Sequence, residues 1–153
     1  MKLLYLDKKK DCVGCRLCEL ACSFVHEKVF NPELSRVVVF KNEAEGVDRP
    51  QICYHCTNHP CKKACPVNAF ETRLMDGKEI VIINQEKCTG CGLCIKACPF
   101  NAIHLSPTGI ALKCDLCGGE PECVKHCPTG IIRYGDKSKD LNIKEIVDRE
   151  KST

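Results

Sequence analysis

CTGCGLCIKACP, from Cys88 to Pro99, holds four cysteines separated by two, two and three residues, with a proline directly after the last. Three further groups of four cysteines occur in the 153-residue chain, and together the groups account for all 16 cysteines. In chain order they are Cys12, Cys15, Cys18 and Cys22 (group one); Cys53, Cys56, Cys61 and Cys65 (group two); Cys88, Cys91, Cys94 and Cys98 (group three); and Cys114, Cys117, Cys123 and Cys127 (group four). So high a cysteine content is typical of a disulfide scaffold or a metal protein.

The N-terminal sequence decides between these two classes. The apolar start of MKLLYLDKKKDC is interrupted by Asp7 and three lysines, which is too early for a secretory signal peptide. No stretch of the sequence is apolar enough to cross a bilayer. We therefore expect a cytoplasmic protein, in which thiols stay reduced and clustered cysteines bind metal.

The spacing within groups one and three indicates the kind of metal centre. Both match the run C-x2-C-x2-C-x3-C, in which one loop covers three iron corners of a [4Fe-4S] cluster and the fourth cysteine binds a neighbouring cluster. A tetrahedral zinc ion prefers two separate C-x2-C pairs. In groups two and four the second gap grows to four and five residues, so zinc remains a competitor for those groups taken alone. For the whole set, four [4Fe-4S] clusters are the prediction.

Charge and cysteine count exclude two functional classes. The formal net charge is +3, but four oxidised clusters with their thiolates bring it to about −5, which argues against nucleic-acid binding. Sixteen cysteines complete four clusters and leave no iron open to a substrate. The sequence therefore predicts a protein that transfers electrons and is not itself an enzyme.

Short strands and helices are predicted around the cysteine groups. The turn Asp76-Gly77 precedes a strand at 79–84, and a second hairpin turns at 106–109. Further strands are predicted at 3–6, 36–40 and 131–134, short helices before the fourth cysteine of a group, a longer helix at 18–28, and one apolar stripe in the charged tail 136–153.

The order of the groups, with C-x2-C-x4-C-x3-C-P as the second, resembles the four-cluster polyferredoxin subunits of oxidoreductase complexes over about residues 1–135. The stretch CRLCELACSFVHEKVFNPELSRVVVF, residues 15–40, is most similar to the small subunit of tungsten-containing aldehyde:ferredoxin oxidoreductases. One departure is that Ser23, not proline, follows Cys22.

This resemblance implies an α+β fold of two interleaved bacterial-type 2[4Fe-4S] ferredoxin-like lobes with short hairpins and short helices. Residues 1–48 with 106–140 form one lobe, residues 49–105 form the other, and 141–153 are a tail able to form a short helix. The implied ligand sets are Cys12, Cys15, Cys18 and Cys127 (cluster A); Cys114, Cys117, Cys123 and Cys22 (cluster B); Cys53, Cys56, Cys61 and Cys98 (cluster C); and Cys88, Cys91, Cys94 and Cys65 (cluster D).

The same resemblance implies a heterodimer in which this chain relays electrons from a larger tungsten or molybdenum aldehyde oxidoreductase subunit to a soluble ferredoxin. Three alternatives stay open: a free-standing polyferredoxin carrier, the same role for a hydrogenase or carbon monoxide dehydrogenase, and a zinc-binding interaction module. Lys63, Lys96 and Lys125 each precede a fourth cysteine by two residues. They either raise a cluster's reduction potential or lie on a solvated helix face.

Overall fold

The computed structural model describes residues 2–136 and consists of short elements between cysteine-bearing loops. The strands are β1 (Lys2–Leu6), β2 (Val38–Asn42), β3 (Val47–Gln51), β4 (Phe70–Met75), β5 (Lys78–Ile83), β6 (His104–Leu105), β7 (Ala111–Leu112) and β8 (Ile132–Asp136). The helices are α1 (Leu17–Glu27), α2 (Pro60–Lys63), α3 (Leu93–Ala97) and α4 (Glu122–Lys125), with 3₁₀ turns at Pro32–Leu34 and Leu116–Gly119. The stripe predicted in the tail lies outside the described residues.

The strands form four antiparallel pairs in the described part of the chain. β2 pairs with β3, β4 with β5 and β6 with β7, each across a short turn, whereas β1 pairs with β8 from the other end of the described residues. The predicted turn joins β4 to β5, and both Asp76 and Gly77 have positive φ, of 47° and 77°. These left-handed conformations are what a tight two-residue hairpin requires. The hairpin predictions at 76–77 and 106–109 are confirmed.

Helix α1 is the longest element and explains the missing proline after Cys22. It begins after Arg16 and ends at Lys28, which both have a φ of 60°. Because the helix continues beyond Cys22, a proline at position 23 would lack the N–H that an interior helical residue donates. Ser23 is instead fully buried; its hydroxyl donates to the carbonyl of Leu20 (3.0 Å) and accepts from the amide of Asn31 (3.1 Å).

Buried side chains form two clusters, each with cysteines inside it. The first contains Leu4, Ile52, Ile80, Leu116 and Ile132 together with Cys18, Cys22 and Cys123. The second contains Phe70, Val81, Ile103 and Ala111 together with Cys61 and Cys94. Helix α1 packs against α4 near the first cluster, and α2 packs against α3 near the second.

One polar contact joins the last strand to the β4–β5 turn. The hydroxyl of Tyr134 in β8 donates to the carboxylate of Asp76 at 2.7 Å. Burial and this hydrogen bond raise the pKa of Tyr134 above its usual range. Among the helices within residues 2–136, none has both the length and the apolar character needed to span a membrane.

Candidate functional site

Four cavities in the structure are each lined by at least four cysteines. Their empty space, including the mouth of each, is about 290, 360, 360 and 330 Å³ for cavities A to D. The lining cysteines are Cys12, Cys15, Cys18 and Cys127 in cavity A; Cys22, Cys114, Cys117 and Cys123, with Cys53 as a fifth, in cavity B; Cys53, Cys56, Cys61 and Cys98 in cavity C; and Cys65, Cys88, Cys91 and Cys94 in cavity D. Each predicted ligand set therefore lines one cavity, with three cysteines from one group and the fourth from another.

Neighbouring cavities share a helix or a cysteine. In α1, Cys18 faces cavity A and Cys22, four residues later, faces cavity B. In α3, Cys94 faces cavity D, and Cys98 directly after the helix faces cavity C. Cys53 lines both B and C. The cavities thus follow one another in the order A, B, C, D.

The loops that carry the first three cysteines of a group fold tightly. Gly90 in group three has a φ of 72°, and a β-carbon there would overlap the carbonyl oxygen of Gly109. In group one, Gly14 has a φ of 66°, and a β-carbon there would lie 2.6 Å from a carboxylate oxygen of Asp48. Both positions favour glycine because of the positive φ, and at Gly90 the fixed backbone of Gly109 also leaves no space for a side chain.

Backbone amides donate to cysteine sulfurs in all four cavities. The donors are the amides of Gly14 to Cys12 (3.4 Å), Arg36 to Cys22 (3.2 Å), Leu116 to Cys114 (3.4 Å), Ala102 to Cys98 (3.5 Å) and Ala69 to Cys65 (3.3 Å). Such bonds stabilise negative charge on sulfur. Four free thiols around a cavity, with amides directed at the sulfurs, fit the ligand requirements of an iron–sulfur cluster.

Comparison with known families agrees with this donor set. Residues 45–137 match the model of the 4Fe-4S dicluster domain, which is more than half of the chain, and residues 9–25 match a 4Fe-4S binding domain. The chain belongs to the 4Fe-4S dicluster domain family. This dicluster protein accordingly holds [4Fe-4S] clusters.

Individual relatives of the dicluster protein are subunits of oxidoreductases. The polyferredoxin-like subunit of aliphatic sulfonate oxidoreductase from Pyrococcus furiosus is 44% identical over 76% of this chain and 66% of its own length. The thiosulfate reductase electron transfer subunit PhsB from Salmonella typhi is 35% identical over 85% of this chain and 73% of its own length. The chain spans between 22% and 66% of the first three curated relatives that it matches.

A solved structure extends the likeness to the fold. A chain of the active site complex BamBC of benzoyl coenzyme A reductase, solved with benzoyl-CoA, aligns with a TM-score of 0.51 at 29% identity. The alignment covers 99% of this chain and 89% of that one.

Burial raises the pKa of several thiols in the dicluster protein. It raises the pKa of Cys18 to about 12 and of Cys61 and Cys117 to about 11. Burial also acts on Cys22 and Cys53, but other groups together outweigh it and lower their pKa values. For Cys22 these are mainly His26 and the amide of Arg36, and for Cys53 they are mainly Lys113 and His55. Positive side chains therefore lie beside cavities B and C.

His26 connects α1 to the group four loop beside cavity B. Its Nδ1 donates to the carbonyl of Cys22 (2.8 Å) and its Nε2 donates to the carboxylate of Asp115 (2.8 Å). Burial lowers the pKa of His26, but the hydrogen bonds to Asp115 and Cys22 together outweigh burial, and the pKa is raised to about 10. Burial raises the pKa of Asp115, but the hydrogen bond and charge of His26, together with the amide of Cys117 and the charge of Arg36, outweigh burial and lower it to about 2. His26 is thus a positively charged neighbour of Cys22 and does not replace any of the four cysteines as a proposed ligand.

Lys113 is the buried cation that the sequence patterns did not reveal. Its ammonium donates to the carbonyl of Val81 (2.6 Å) and to Nδ1 of His55 (3.5 Å). Burial lowers the pKa of Lys113, but the neighbouring Cys53, Cys114 and Cys61 together outweigh burial, so that the pKa is raised. The one available signal is the position of the lysine in GIALKC, at the end of an apolar run and directly before group four.

The three lysines selected from the sequence lie elsewhere. Lys63, Lys96 and Lys125 are all exposed, and Lys125 pairs with Glu120 (3.1 Å) and Glu122 (2.9 Å). Water screens such exposed charges, which favours the solvated helix face for all three.

Proposed function

We propose that this dicluster protein is a non-catalytic electron-transfer subunit that binds four [4Fe-4S] clusters, one in each of cavities A to D. The observation that supports this proposal is the order of the cavities, A to D, with exposed cysteines only in the first and the last. Cys15 in cavity A and Cys91 in cavity D are exposed, whereas no cysteine of cavities B and C is exposed. A and D therefore form the two ends at which electrons enter and leave, and B and C connect them.

The chemistry is divided between the bound groups and the chain. When bound, [4Fe-4S] clusters accept and donate single electrons. The chain holds them with thiolates and stabilises the negative sulfurs with backbone amides.

Two ferredoxin-like lobes are the corresponding architecture. Residues 1–48 and 106–140 would form the lobe of cavities A and B, and residues 49–105 the lobe of cavities C and D. The packing of α1 on α4 and of α2 on α3 supports this division. Cys53 supports the placing of B and C at the junction, because it lines both cavities.

The partner we propose is a larger tungsten or molybdenum aldehyde oxidoreductase subunit in the cytoplasm, with soluble ferredoxin as the acceptor. Residues 15–40 carry the resemblance on which this choice rests. The relatives' names refer to aliphatic sulfonate, thiosulfate and benzoyl-CoA. Such variety of substrates supports the assignment of substrate chemistry to a partner chain.

Anaerobic purification from the native source, without a tag, tests the proposed function. We expect about sixteen irons per chain and a co-eluting larger subunit that contains tungsten or molybdenum. The same iron content in a lone monomer would favour a free-standing carrier. A nickel-containing partner would favour a hydrogenase or carbon monoxide dehydrogenase, and zinc without iron would exclude every cluster-based function.

A separate experiment tests whether the fourth cysteine of one group binds the cluster that another group holds. Cys98 belongs to group three but lines cavity C with Cys56 of group two, whereas Cys91 lines cavity D. Electron paramagnetic resonance of the reduced protein should show that Cys98→Ser and Cys56→Ser alter the same cluster signal. Cys91→Ser should alter a different signal, and a shared signal for Cys98→Ser and Cys91→Ser would show that the fourth ligand is not exchanged.

A further inference from the structure

Lys113 lies at the boundary between the two inner cavities. Its side chain lines cavity C, and the next residue, Cys114, lines cavity B. Lys113 has only 5% of its surface exposed. A cation at this position is close to two cluster sites at once and is not screened by water as a surface lysine is.

Within the described residues, none of the hydrogen-bond acceptors of the Lys113 ammonium is a carboxylate. They are the carbonyls of Val81 (2.6 Å) and Cys114 (3.4 Å) and Nδ1 of His55 (3.5 Å). Among residues 2–136, no carboxylate pairs with Lys113. Burial of a charge is costly unless an opposite charge lies near. The opposite charge available here is that of the thiolates and of the cluster they hold.

His55 adds a buried hydrogen-bond donor to the same cavity. It is 1% exposed and lines cavity C. An ammonium group can only donate, so Nδ1 of His55 accepts from Lys113 and the ring proton is on Nε2. Nε2 has no hydrogen-bond partner within the described residues. This buried N–H belongs to a residue that lines cavity C, and a sulfur of a cluster bound there would give it an acceptor.

We propose that Lys113, together with His55, raises the reduction potential of the cluster in cavity C above the potentials of the other three clusters. This inference rests on the proposed function, because it requires a [4Fe-4S] cluster in that cavity. The step is the uptake of one electron from a low-potential one-electron donor, with no proton transferred and no bond to the protein made or broken. A buried cation stabilises the added negative charge, and an N–H donor to sulfur acts in the same direction.

The consequence is that a single electron on the protein resides in cavity C. An electron that enters at cavity A or D reaches this position and leaves it only when a second electron or a suitable acceptor is present. Lys113 is a positioning residue in this scheme, since it acts on the cluster without binding it.

The test is an anaerobic redox titration of the holoprotein, followed by electron paramagnetic resonance. In Lys113→Gln, the highest-potential cluster should show at least a tenfold fall in its reduction equilibrium constant, which is about 59 mV for one electron. Lys113→Arg keeps the charge and should restore that potential. Lys63→Gln is the matched control, because Lys63 is exposed and precedes Cys65 of cavity D by two residues. It should leave all midpoints unchanged.

Iron analysis separates failure of this inference from failure of the proposed function. If the wild-type protein lacks iron–sulfur clusters, the proposed function fails. If Lys113→Gln retains the wild-type iron content and all its midpoints are unchanged, the role of Lys113 is overturned. If Lys113→Gln loses iron, His55→Asn replaces it, because asparagine tolerates the positive φ of 48° at that position. The highest potential should then fall in His55→Asn, and an unchanged value would overturn the inference.

Discussion

At the scale of single residues, the protein separates two kinds of positive charge near the cysteines. The exposed Lys63, Lys96 and Lys125 lie on surfaces where water screens them. The buried Lys113 and the half-buried His26 lie beside cavities C and B. Sequence spacing alone pointed to the exposed three, because the distance along the chain to a cysteine does not reveal burial.

Gly90→Ala tests the steric requirement of the group three loop. Alanine there adopts a positive φ of 72° and places a methyl group against the carbonyl of Gly109, so we expect loss of iron from cavity D. Gly92→Ala is the control, because its φ is 77° but its β-carbon meets open space. Both variants carry about 1–2 kcal/mol of left-handed strain, and only Gly90→Ala adds the overlap. Equal iron contents in the two variants would contradict the steric explanation.

At the scale of elements, the cysteine-bearing helices differ in how they end. Helices α2, α3 and α4 stop before a fourth cysteine that precedes a proline, whereas α1 passes through its fourth cysteine and continues to Glu27. Helix α1 also carries Glu19 in its first turn, whose carboxylate accepts from the amide of Val39 at 2.7 Å. This contact fixes the β2–β3 hairpin beside cavity A.

Ser23→Pro would impose the pattern of the other groups on group one. We expect it to lower the free energy of unfolding by about 3 kcal/mol or more, because proline lacks the interior N–H and clashes with the preceding turn. Ser23→Ala is the control and should lose about 1 kcal/mol for each hydroxyl hydrogen bond removed. Anaerobic denaturant unfolding compares them, and similar losses in the two variants would contradict helical continuity as the cause.

Tyr134→Phe tests the contact between β8 and the β4–β5 turn. It should lower stability by about 1 kcal/mol near neutral pH. Because the pKa of Tyr134 is raised in the folded protein, the contribution is fully present below the unfolded pKa of about 10 and decreases as the pH rises through the higher folded value. Asp76→Asn keeps an acceptor and serves as the control. The test compares anaerobic unfolding rates of the three proteins at pH 7 and above pH 10 or so, and a wild-type advantage independent of pH would contradict this account.

Several elements were predictable from local pattern, and others depended on tertiary contacts. The Asp76-Gly77 turn and helix α1 follow from turn chemistry and apolar spacing. Strand β3 was not predicted, because VDRPQ contains Pro50 and two charges. It pairs with β2 and otherwise forms one isolated bridge, between Asp48 and Cys12, so its other edge tolerates proline at position 50. Strand β2 begins two residues later than predicted, since the amide of Arg36 donates to the sulfur of Cys22 and that of Val37 to Ser35. Which cysteines bind one cluster stays a prediction.

At the scale of the whole molecule, the cysteines share the interior with aliphatic side chains. Aromatic residues make up only 5% of the chain, and cysteines are members of both buried clusters. Four cavities lie among these side chains, each with about 290–360 Å³ of empty space when its open mouth is included. Groups bound in these cavities would therefore supply part of the interior.

Removal of iron with an acid-chelator treatment should consequently unfold much of the protein. We expect loss of most of the near-ultraviolet and far-ultraviolet circular dichroism and an increase in the radius of gyration by X-ray scattering. Anaerobic addition of ferrous iron and sulfide should restore both signals. A chelated protein that keeps its native dichroism and radius would show that the polypeptide holds the fold without bound groups.

The mixed origin of each cysteine quartet has a consequence for synthesis of the chain on the ribosome. Cavity D has its last cysteine when Cys94 emerges and cavity C when Cys98 emerges, whereas cavity A waits for Cys127, more than a hundred residues after Cys18. Until Cys127 is made, Cys12, Cys15 and Cys18 lack the fourth cysteine of cavity A. These three thiols can meanwhile be oxidised or bind another metal. The nascent protein therefore depends on a reducing environment until almost all of its described residues have been made.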